Sequence, residues 1–193
     1  MVPQIRGRAR AVLLWLGLVL ASTPLAAGAA EILADLSEPG TMLLLRHALA
    51  PGTGDPPGFV VGDCSTQRNL SDAGREQARA LGERLRQAGI DQARIYSSRW
   101  CRCMETAELL DLGPVQPLPA LDSFFQDRSQ AAARTEAARD FLEALPAGPP
   151  VILVTHQVNI TGLTGQFAAS GTAVLARVPV HGEGDLEVLG IVR

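Results

Sequence analysis

Two short, uninterrupted apolar runs constrain the fold of this chain more than any other feature of its sequence. They are Thr41–Arg46 (TMLLLR) and Val151–Thr155 (VILVT). Runs of this length without apolar–polar alternation are typical of strands covered on both faces, as in parallel sheets. Both runs are therefore predicted to be buried central strands. A loop rich in Gly and Pro, residues 48–63, follows the first run directly.

Helical patterns lie between and around these strands. Ser71 is a favourable N-cap, and small and apolar residues recur at helical spacing from Gly74 to Ala88, before a stop at Gly89. Further helices are predicted over residues 31–38, 100–110, 132–145 and 156–169, and further strands over 93–97, 115–118, 173–178 and 186–192. This alternation predicts a single α/β domain with a mainly parallel sheet.

The first thirty residues have the pattern of a secretory signal peptide. Arg6, Arg8 and Arg10 precede an apolar run over residues 11–21, and Ala27-Gly28-Ala29 forms an A-x-A cleavage signal. We therefore predict a signal peptide over residues 1–30, a mature domain over 31–193, and a periplasmic or secreted location. After cleavage no stable membrane insertion is expected. An uncleaved anchor is the alternative, although the run is shorter than the roughly 20 apolar residues of a membrane span.

Charge and composition narrow the classes of partner. The formal net charge is -3, which disfavours a nucleic-acid partner because such proteins usually present a basic face. All 17 basic residues other than histidine are arginines. Any phosphate-binding site in this chain must therefore be built from arginine or histidine.

The predicted export affects how the three cysteines are interpreted. They are Cys64, Cys101 and Cys103. Two of them can form a disulfide in an oxidising compartment. Cys101 and Cys103 are too close along the chain to bond easily, so the expected bridge joins Cys64 to one of them and leaves one thiol. A metal site or a thiol redox protein built on the three cysteines is the alternative.

Histidines follow both buried strands at the point where each strand ends. His47 comes directly after the first strand and is preceded by Arg46, and His156 comes directly after the second. The carboxyl ends of strands are where open α/β sheets bind ligands. Imidazole is a good nucleophile near neutral pH, and the arginine fork matches phosphoryl oxygens. The pattern favours phosphoryl transfer through a phosphohistidine, although two histidines could also bind a metal.

Four segments, in order and at sensible spacing, resemble those of the histidine phosphatase, or phosphoglycerate-mutase-like, superfamily. These are LLLRHA at 43–48, NLSDAGREQA at 69–78, YSSRWCRCMETA at 96–107 and VILVTH at 151–156. Each is weak alone, but in order they extend the match over most of the predicted mature chain, roughly Met42 to Gly165. The resemblance implies a three-layer α/β/α sandwich and a hydrolase that needs no metal or other cofactor.

The resemblance also assigns roles to individual residues. It implies that His47 becomes phosphorylated, that Arg46 and Arg102 clamp the phosphoryl oxygens, and that His156 donates to the phosphoryl group during transfer. Water then hydrolyses the phosphohistidine. The implied substrate is a phosphorylated small molecule or a phosphoprotein.

The sequence departs from the family pattern at the residue that protonates the leaving group. Gln157 stands where some relatives have an aspartic acid after the second histidine, and an amide is no acid. Asp122 is the nearest match to the acid of other relatives, with Glu183 as a fallback. Without an acid, activity is expected only on good leaving groups such as phosphohistidine or phosphoanhydrides. Two further departures are Ala48, where the family has glycine, and Arg99, where it has proline.

Three functions therefore remain open from the sequence. A phosphatase is favoured. A mutase of the same family is the nearest alternative, but mutases act on cytosolic metabolites and the predicted export argues against one. A phosphate-binding module without turnover is the alternative from a different class, because the proton donor is in doubt.

Overall fold

The middle layer of the protein is a six-stranded mixed sheet in a computed structural model that describes residues 24–179 and 184–193. The strands are β1 Thr41–Arg46, β2 Arg94–Ser97, β3 Val115–Pro117, β4 Val151–Thr155, β5 Ala173–Arg177 and β6 Glu187–Val192. Their order across the sheet is β3-β2-β4-β1-β5-β6. The first four strands in this order are parallel to one another. The β1–β5 and β5–β6 pairs, at one edge of the sheet, are antiparallel. The predicted mainly parallel sheet is confirmed.

Helices occupy both faces of this sheet. They are α1 Pro24–Ala34, α2 Asp72–Gln87, α3 Cys101–Leu109, α4 Ala131–Glu143 and α5 Gln157–Thr164. The predicted cap of α2 is confirmed, because the Ser71 hydroxyl accepts a hydrogen bond from the Gly74 amide at 3.1 Å. Helix α5 ends five residues earlier than predicted, because Gly165 adopts a left-handed φ of 69°.

The two central strands distribute their side chains to two separate cores. Leu43 and Leu45 of β1 pack on the side of α2 and α3, and Met42 and Leu44 pack on the side of α4 and α5. Because successive side chains alternate across a strand, a strand buried on both faces must be apolar at every position. This explains the uninterrupted runs in the sequence and gives the expected three-layer α/β/α architecture.

Helix α2 approaches the chain beyond β1 very closely. A Cβ atom on Gly74 would collide with the carbonyl oxygen of Leu49. The same carbonyl accepts a hydrogen bond from the Ser71 amide, and the Leu49 amide donates to the side chain of Gln77 at 3.0 Å. The start of α2 therefore holds the chain two residues beyond His47.

Some predictions fall on residues outside the described ranges. Most of the predicted signal peptide falls in residues 1–23, and α1 covers the rest of it. The turn that carries His181 and Glu183 falls in 180–183. The predicted cleavage boundary between residues 30 and 31 lies within α1 and stays a prediction. Within the described ranges, none of the helices combines the length and apolar character needed to span a bilayer.

The disulfide joins Cys64 to Cys101 and leaves Cys103 as a buried free thiol. The predicted pattern of one bridge and one thiol is confirmed. The bridge ties the long loop after β1 to the first residue of α3. Since two of the three sulfurs are bonded to each other, a metal site of three thiolates does not form.

We expect the double variant Cys64→Ser/Cys101→Ala to lose about 4 kcal/mol of unfolding free energy, because the bridge closes a loop across a sequence separation of 37 residues. Urea unfolding with and without reductant measures this. Reductant should lower the midpoint of the wild type and leave that of the double variant unchanged. An equal midpoint for the oxidised wild type and the double variant would contradict the expectation.

Candidate active site

The two histidines that follow β1 and β4 lie side by side. The strands are parallel neighbours with Arg46 opposite Thr155, and the His47 amide donates to the Thr155 carbonyl at 2.9 Å. The next residues, His47 and His156, therefore leave the sheet at the same edge. Their ring centroids are 5.5 Å apart.

Four of the five predicted site residues line one cavity at this edge, namely Arg46, His47, Arg102 and His156. Its volume is about 90 Å³, well below the roughly 300–1,000 Å³ typical of pockets for drug-sized ligands. The other lining residues are Gly52, Thr53, Gly54, Asp55, Arg68, Ser123, Phe125, Gln126, Gln157 and Val158. The cavity therefore suits a phosphoryl-sized group with the rest of a ligand outside it.

His47 is arranged as a neutral nucleophile. Its Nδ1 lies 2.8 Å from the carbonyl oxygen of Ala48. A carbonyl only accepts, so Nδ1 carries the proton and Nε2 keeps its lone pair. Burial, and then the charge of Arg102, lower the pKa of His47 to about 3. The ring is therefore uncharged at neutral pH.

Ala48, which replaces the family's glycine, fits this strand end without strain. Among the described residues only Asp111 is a non-glycine residue with a positive φ. The backbone at Ala48 thus does not need the conformational freedom of glycine. Its amide donates to the Thr106 hydroxyl at 3.0 Å, which fixes the carbonyl that holds His47.

Arg102 is held in place by a carboxylate that sequence reasoning missed. Two guanidinium nitrogens of Arg102 contact the two carboxylate oxygens of Asp55 at 2.7 and 3.1 Å, and both side chains are only 3% exposed. Asp55 also accepts from the Trp100 indole at 3.0 Å and from the Arg68 amide at 3.1 Å. Burial alone would raise the pKa of Asp55, but the hydrogen bonds and charge of Arg102, with these other donors, lower it. Asp55 is thus held as a carboxylate.

Arg68 adds a third cation to the cavity and was also missed. Its guanidinium donates to the carbonyl oxygens of Gly54, at 2.7 Å, and Ala50. Arg68 thereby folds the loop after β1 around the cavity. Burial, and then the charge of Arg102, lower the pKa of Arg68. A half-buried cation beside other cations favours an anion as its ligand.

Arg46 is anchored from the far side of the cavity. Its Nη1 donates to the Ala168 carbonyl at 2.9 Å. Within the described residues, the buried Nε atoms of Arg46 and Arg102 have no hydrogen-bond partner. Three guanidinium groups and one carboxylate, with both histidines neutral, give the cavity two excess positive charges. Such a site attracts a phosphate dianion.

His156 is buried and contacts groups on two other elements. Its Nε2 lies 2.9 Å from the Ser98 hydroxyl, and its Nδ1 lies 3.5 Å from Nη2 of Arg102. Burial, and then the charges of Arg102 and His47, lower the pKa of His156 well below its usual value. In the free protein both histidines are thus uncharged.

Asp122, the fifth predicted residue, does not join the other four. Its side chain is fully buried and absent from the cavity lining. Arg99 binds it through the backbone amide at 3.0 Å and through Nε at 2.8 Å, and Arg134 lies 3.6 Å away. This geometry disfavours Asp122 as the proton donor. The fallback acid, Glu183, lies outside the described residues.

Local sequence signals existed for the two missed residues but were not specific. Asp55 lies in the Gly- and Pro-rich loop after β1, where functional side chains concentrate. Arg68 directly precedes the NLSDAGREQA segment. Among the described residues, no group of three or more His, Cys, Asp or Glu side chains is placed to hold a metal ion.

Comparison with known proteins agrees with this geometry. The sequence model of the histidine phosphatase superfamily (branch 1) matches residues 42–126, which carry Arg46, His47 and Arg102. This match supports membership of the histidine phosphatase superfamily. The family match ends before β4 and does not include His156, whose position beside His47 is given by the structure.

Curated relatives are longer proteins that match less than half of this chain. The mitochondrial serine/threonine-protein phosphatase Pgam5 of Drosophila virilis is 32% identical over 109 residues, covering 45% of this chain and 38% of that protein. The Drosophila grimshawi protein of the same name is 30% identical with the same coverage. The matched segment thus spans well under half the length of these relatives.

Solved structures show the shared fold. Phosphoglycerate mutase from Thermus thermophilus superposes with a TM-score of 0.56 at 21% identity, over 79% of this chain and 98% of that one. The protein histidine phosphatase SixA, complexed with tungstate, gives a TM-score of 0.55 at 14% identity, over 79% and 96%. The phosphoglycerate-mutase-like fold expected of the superfamily is confirmed.

Proposed function

We propose that this protein is a phosphatase that hydrolyses its substrate through a phosphohistidine on Nε2 of His47, without a metal ion. The observation that carries the proposal is the neutral His47, whose Nδ1 is tied to the Ala48 carbonyl, in a cavity lined by Arg46, Arg68 and Arg102. Phosphoryl transfer depends mainly on positioning and on stabilising charge. The cavity supplies both with its own side chains.

The reaction proceeds in two displacements. In the first, the Nε2 lone pair of His47 forms a bond to phosphorus while the bond from phosphorus to the leaving-group oxygen breaks, and that oxygen keeps the electron pair. In the second, the oxygen of a water molecule attacks the same phosphorus and the N–P bond breaks, which returns the pair to Nε2; one water proton passes to solvent, the other stays on the oxygen, and inorganic phosphate is released. Arg46 and Arg102 neutralise the phosphoryl oxygens in both steps.

The leaving group sets the limits of this chemistry. Asp55 is the only carboxyl group among the described residues that line the cavity, and Arg102 holds it as a carboxylate. A carboxylate cannot protonate a departing oxygen. The proposed substrates are therefore phosphorylated small molecules or phosphoproteins whose leaving group departs readily, such as phosphohistidine, phosphoanhydrides or aryl phosphates.

We also propose that the protein works outside the cytoplasm. The support is the signal-peptide pattern of residues 1–30 and the Cys64–Cys101 disulfide, since disulfides persist mainly in oxidising compartments. Mass spectrometry of the exported protein measures the cleavage site, which is expected near residues 29–30.

A series of substrates with excess chelator tests the proposed activity. We expect 4-nitrophenyl phosphate to be hydrolysed, and kcat/KM to fall about 100-fold or more for a simple alkyl phosphate, because general acid catalysis normally supplies about 10²–10⁴-fold. Initial rates across aryl phosphates of increasing leaving-group pKa measure the dependence. A flat dependence would show that an acid acts, and loss of activity with chelator would contradict the metal-free mechanism.

A phosphate-binding module is the second candidate. It is favoured by the same lack of an acid among the described lining residues, together with the pairing of Arg102 to Asp55 in the free protein. Tungstate or inorganic phosphate binding, measured by calorimetry, distinguishes the two. Binding without turnover of any activated substrate would favour the binding module.

A further inference from the structure

Ser98 lies between the second histidine and the buried carboxylate that does not reach the cavity. Its hydroxyl oxygen is 2.9 Å from Nε2 of His156 and 3.4 Å from Oδ1 of Asp122. Ser98 itself is fully buried and follows the last residue of β2. Its hydroxyl therefore joins Asp122 to the site.

The donors and acceptors around this hydroxyl fix the direction of its hydrogen bonds. Arg99 and Arg134 pair with Asp122, which is then a carboxylate and accepts only. Ser98 consequently donates its single proton to Asp122. Its oxygen accepts from the Trp100 amide at 3.4 Å and from Nε2 of His156. For the latter bond to form, Nε2 must carry the imidazole proton.

Two further neighbours of His156 require the same tautomer. Arg102 can only donate, and its Nη2 lies 3.5 Å from Nδ1, which must therefore be the acceptor. Cys103 stays a thiol because burial raises its pKa to about 12, and its Sγ lies 3.6 Å from the Thr155 carbonyl. With its proton directed there, the sulfur, 3.4 Å from Nε2, is an acceptor as well.

We propose that Asp122 is a positioning residue that acts through Ser98 to hold His156 with a proton on Nε2 and with Nδ1 turned towards Arg102 in the cavity. Asp122 does not touch the reacting atoms. This role differs from that of proton donor to the leaving group. It deepens the proposed function and rests on it, because it concerns the second histidine of the same site.

The arrangement prepares His156 for a charged ligand. When a phosphate group binds, Nδ1 takes up a proton from solvent water and donates a hydrogen bond to a phosphoryl oxygen, while Nε2–H keeps its hydrogen bond to Ser98. The charged groups facing His156 are Arg46, Arg68 and Arg102, with the titratable His47 and Cys103, and the cations among them oppose its protonation. The Asp122 carboxylate, reached through Ser98, supplies the nearby negative charge that favours it.

Nitrogen NMR of the imidazole rings tests the tautomer without depending on turnover. In two-bond ¹H–¹⁵N spectra of the full chain, with His156 assigned by the His156→Gln variant, we expect wild-type His156 as the Nε2–H form. Ser98→Ala and Asp122→Asn should each give a mixture of tautomers. Arg99→Gln removes the main ion pair of Asp122 but keeps Ser98, so it should retain the wild-type spectrum.

Kinetics with the same variants separate positioning from acid catalysis. Ser98→Ala and Asp122→Asn are expected to lower kcat about 10- to 100-fold, by analogy with the loss of a partner that orients a metal-binding histidine, with little change in KM. The loss should be equal for good and poor leaving groups, whereas loss of a proton donor would spare the good ones. Asp122→Glu should restore part of the rate.

Each outcome bears on a different proposal. Unchanged His156 tautomers in Asp122→Asn, or an equal loss in Arg99→Gln, would overturn the positioning role and indicate a purely structural one. A wild type without phosphatase activity would overturn the proposed function, while the NMR comparison would still decide the role of Asp122.

Discussion

Replacement of His47 by asparagine is expected to lower kcat by about 10⁴-fold or more, because the nucleophile of a covalent mechanism cannot be substituted by the groups around it. Asparagine keeps a polar side chain of similar reach, so the fold should survive. Reactions with ³²P-labelled 4-nitrophenyl phosphate, quenched in an alkaline denaturant, should trap a labelled wild-type protein. The label should be stable to base and labile to acid, as expected of a phosphohistidine, and absent from His47→Asn.

Substitution of another histidine provides the matched control for this experiment. His181→Asn makes the same chemical change at a histidine to which no role in the site is assigned, and it should leave labelling and kcat unchanged. Persistence of the label in His47→Asn would place the covalent intermediate on another residue. Turnover without any trapped label at short times would instead favour direct attack of water.

Replacement of Arg102 by lysine is expected to lower kcat/KM about 10²- to 10³-fold, the cost typical of losing one preorganised donor to a developing anion. Lysine keeps the charge but lacks the planar fork that contacts Asp55 in the free protein and is proposed to bind phosphoryl oxygens in the complex. The loss should appear in both kcat and KM, because the proposed contact of Arg102 with the phosphoryl group exists before and during transfer. Initial rates with 4-nitrophenyl phosphate measure it.

Stability must be measured alongside, because Arg102 also neutralises a buried charge. Arg102→Met alone leaves the carboxylate of Asp55 unpaired and is expected to cost about 3–5 kcal/mol of unfolding free energy. The double variant Arg102→Met/Asp55→Asn removes both charges and should regain most of that stability without regaining activity. Recovery of activity in the double variant would show that Arg102 acts only by holding Asp55.

The two central strands were predictable because the apolar residues that their burial requires are consecutive in the sequence. Thr41–Arg46 and Val151–Thr155 have the bounds expected from their apolar runs, since strands covered on both faces admit few polar residues. The end of α5 could not be predicted from the local sequence. Residues 166–169 are compatible with a helix, but Arg46 binds the Ala168 carbonyl and Gly165 turns the chain. That contact spans 122 residues, so no local pattern contains it.

In the candidate site too, residues with a local sequence signal were predicted, and residues placed by contacts distant in sequence were not. His47 and His156 follow strands whose ends could be located, and motif spacing identified Arg102. Asp55 gains its place only when the loop after β1 folds onto α3, and Asp122 lies outside the cavity, where it pairs with Arg99. Sequence position alone could not tell a carboxylate that enters the cavity from one that lies behind it.

The close approach of Gly74 to Leu49 has a consequence for anyone who redesigns this protein. Replacing glycine by alanine inside a helix ordinarily improves helix formation by about 1 kcal/mol, and α2 also contains Gly82, whose Cβ would meet the Leu110 backbone. At Gly74 the improved helix would push against the chain segment that carries His47. Alanine at Gly74 is therefore expected to lower the stability of the fold rather than raise it, and to displace the chain segment that follows His47.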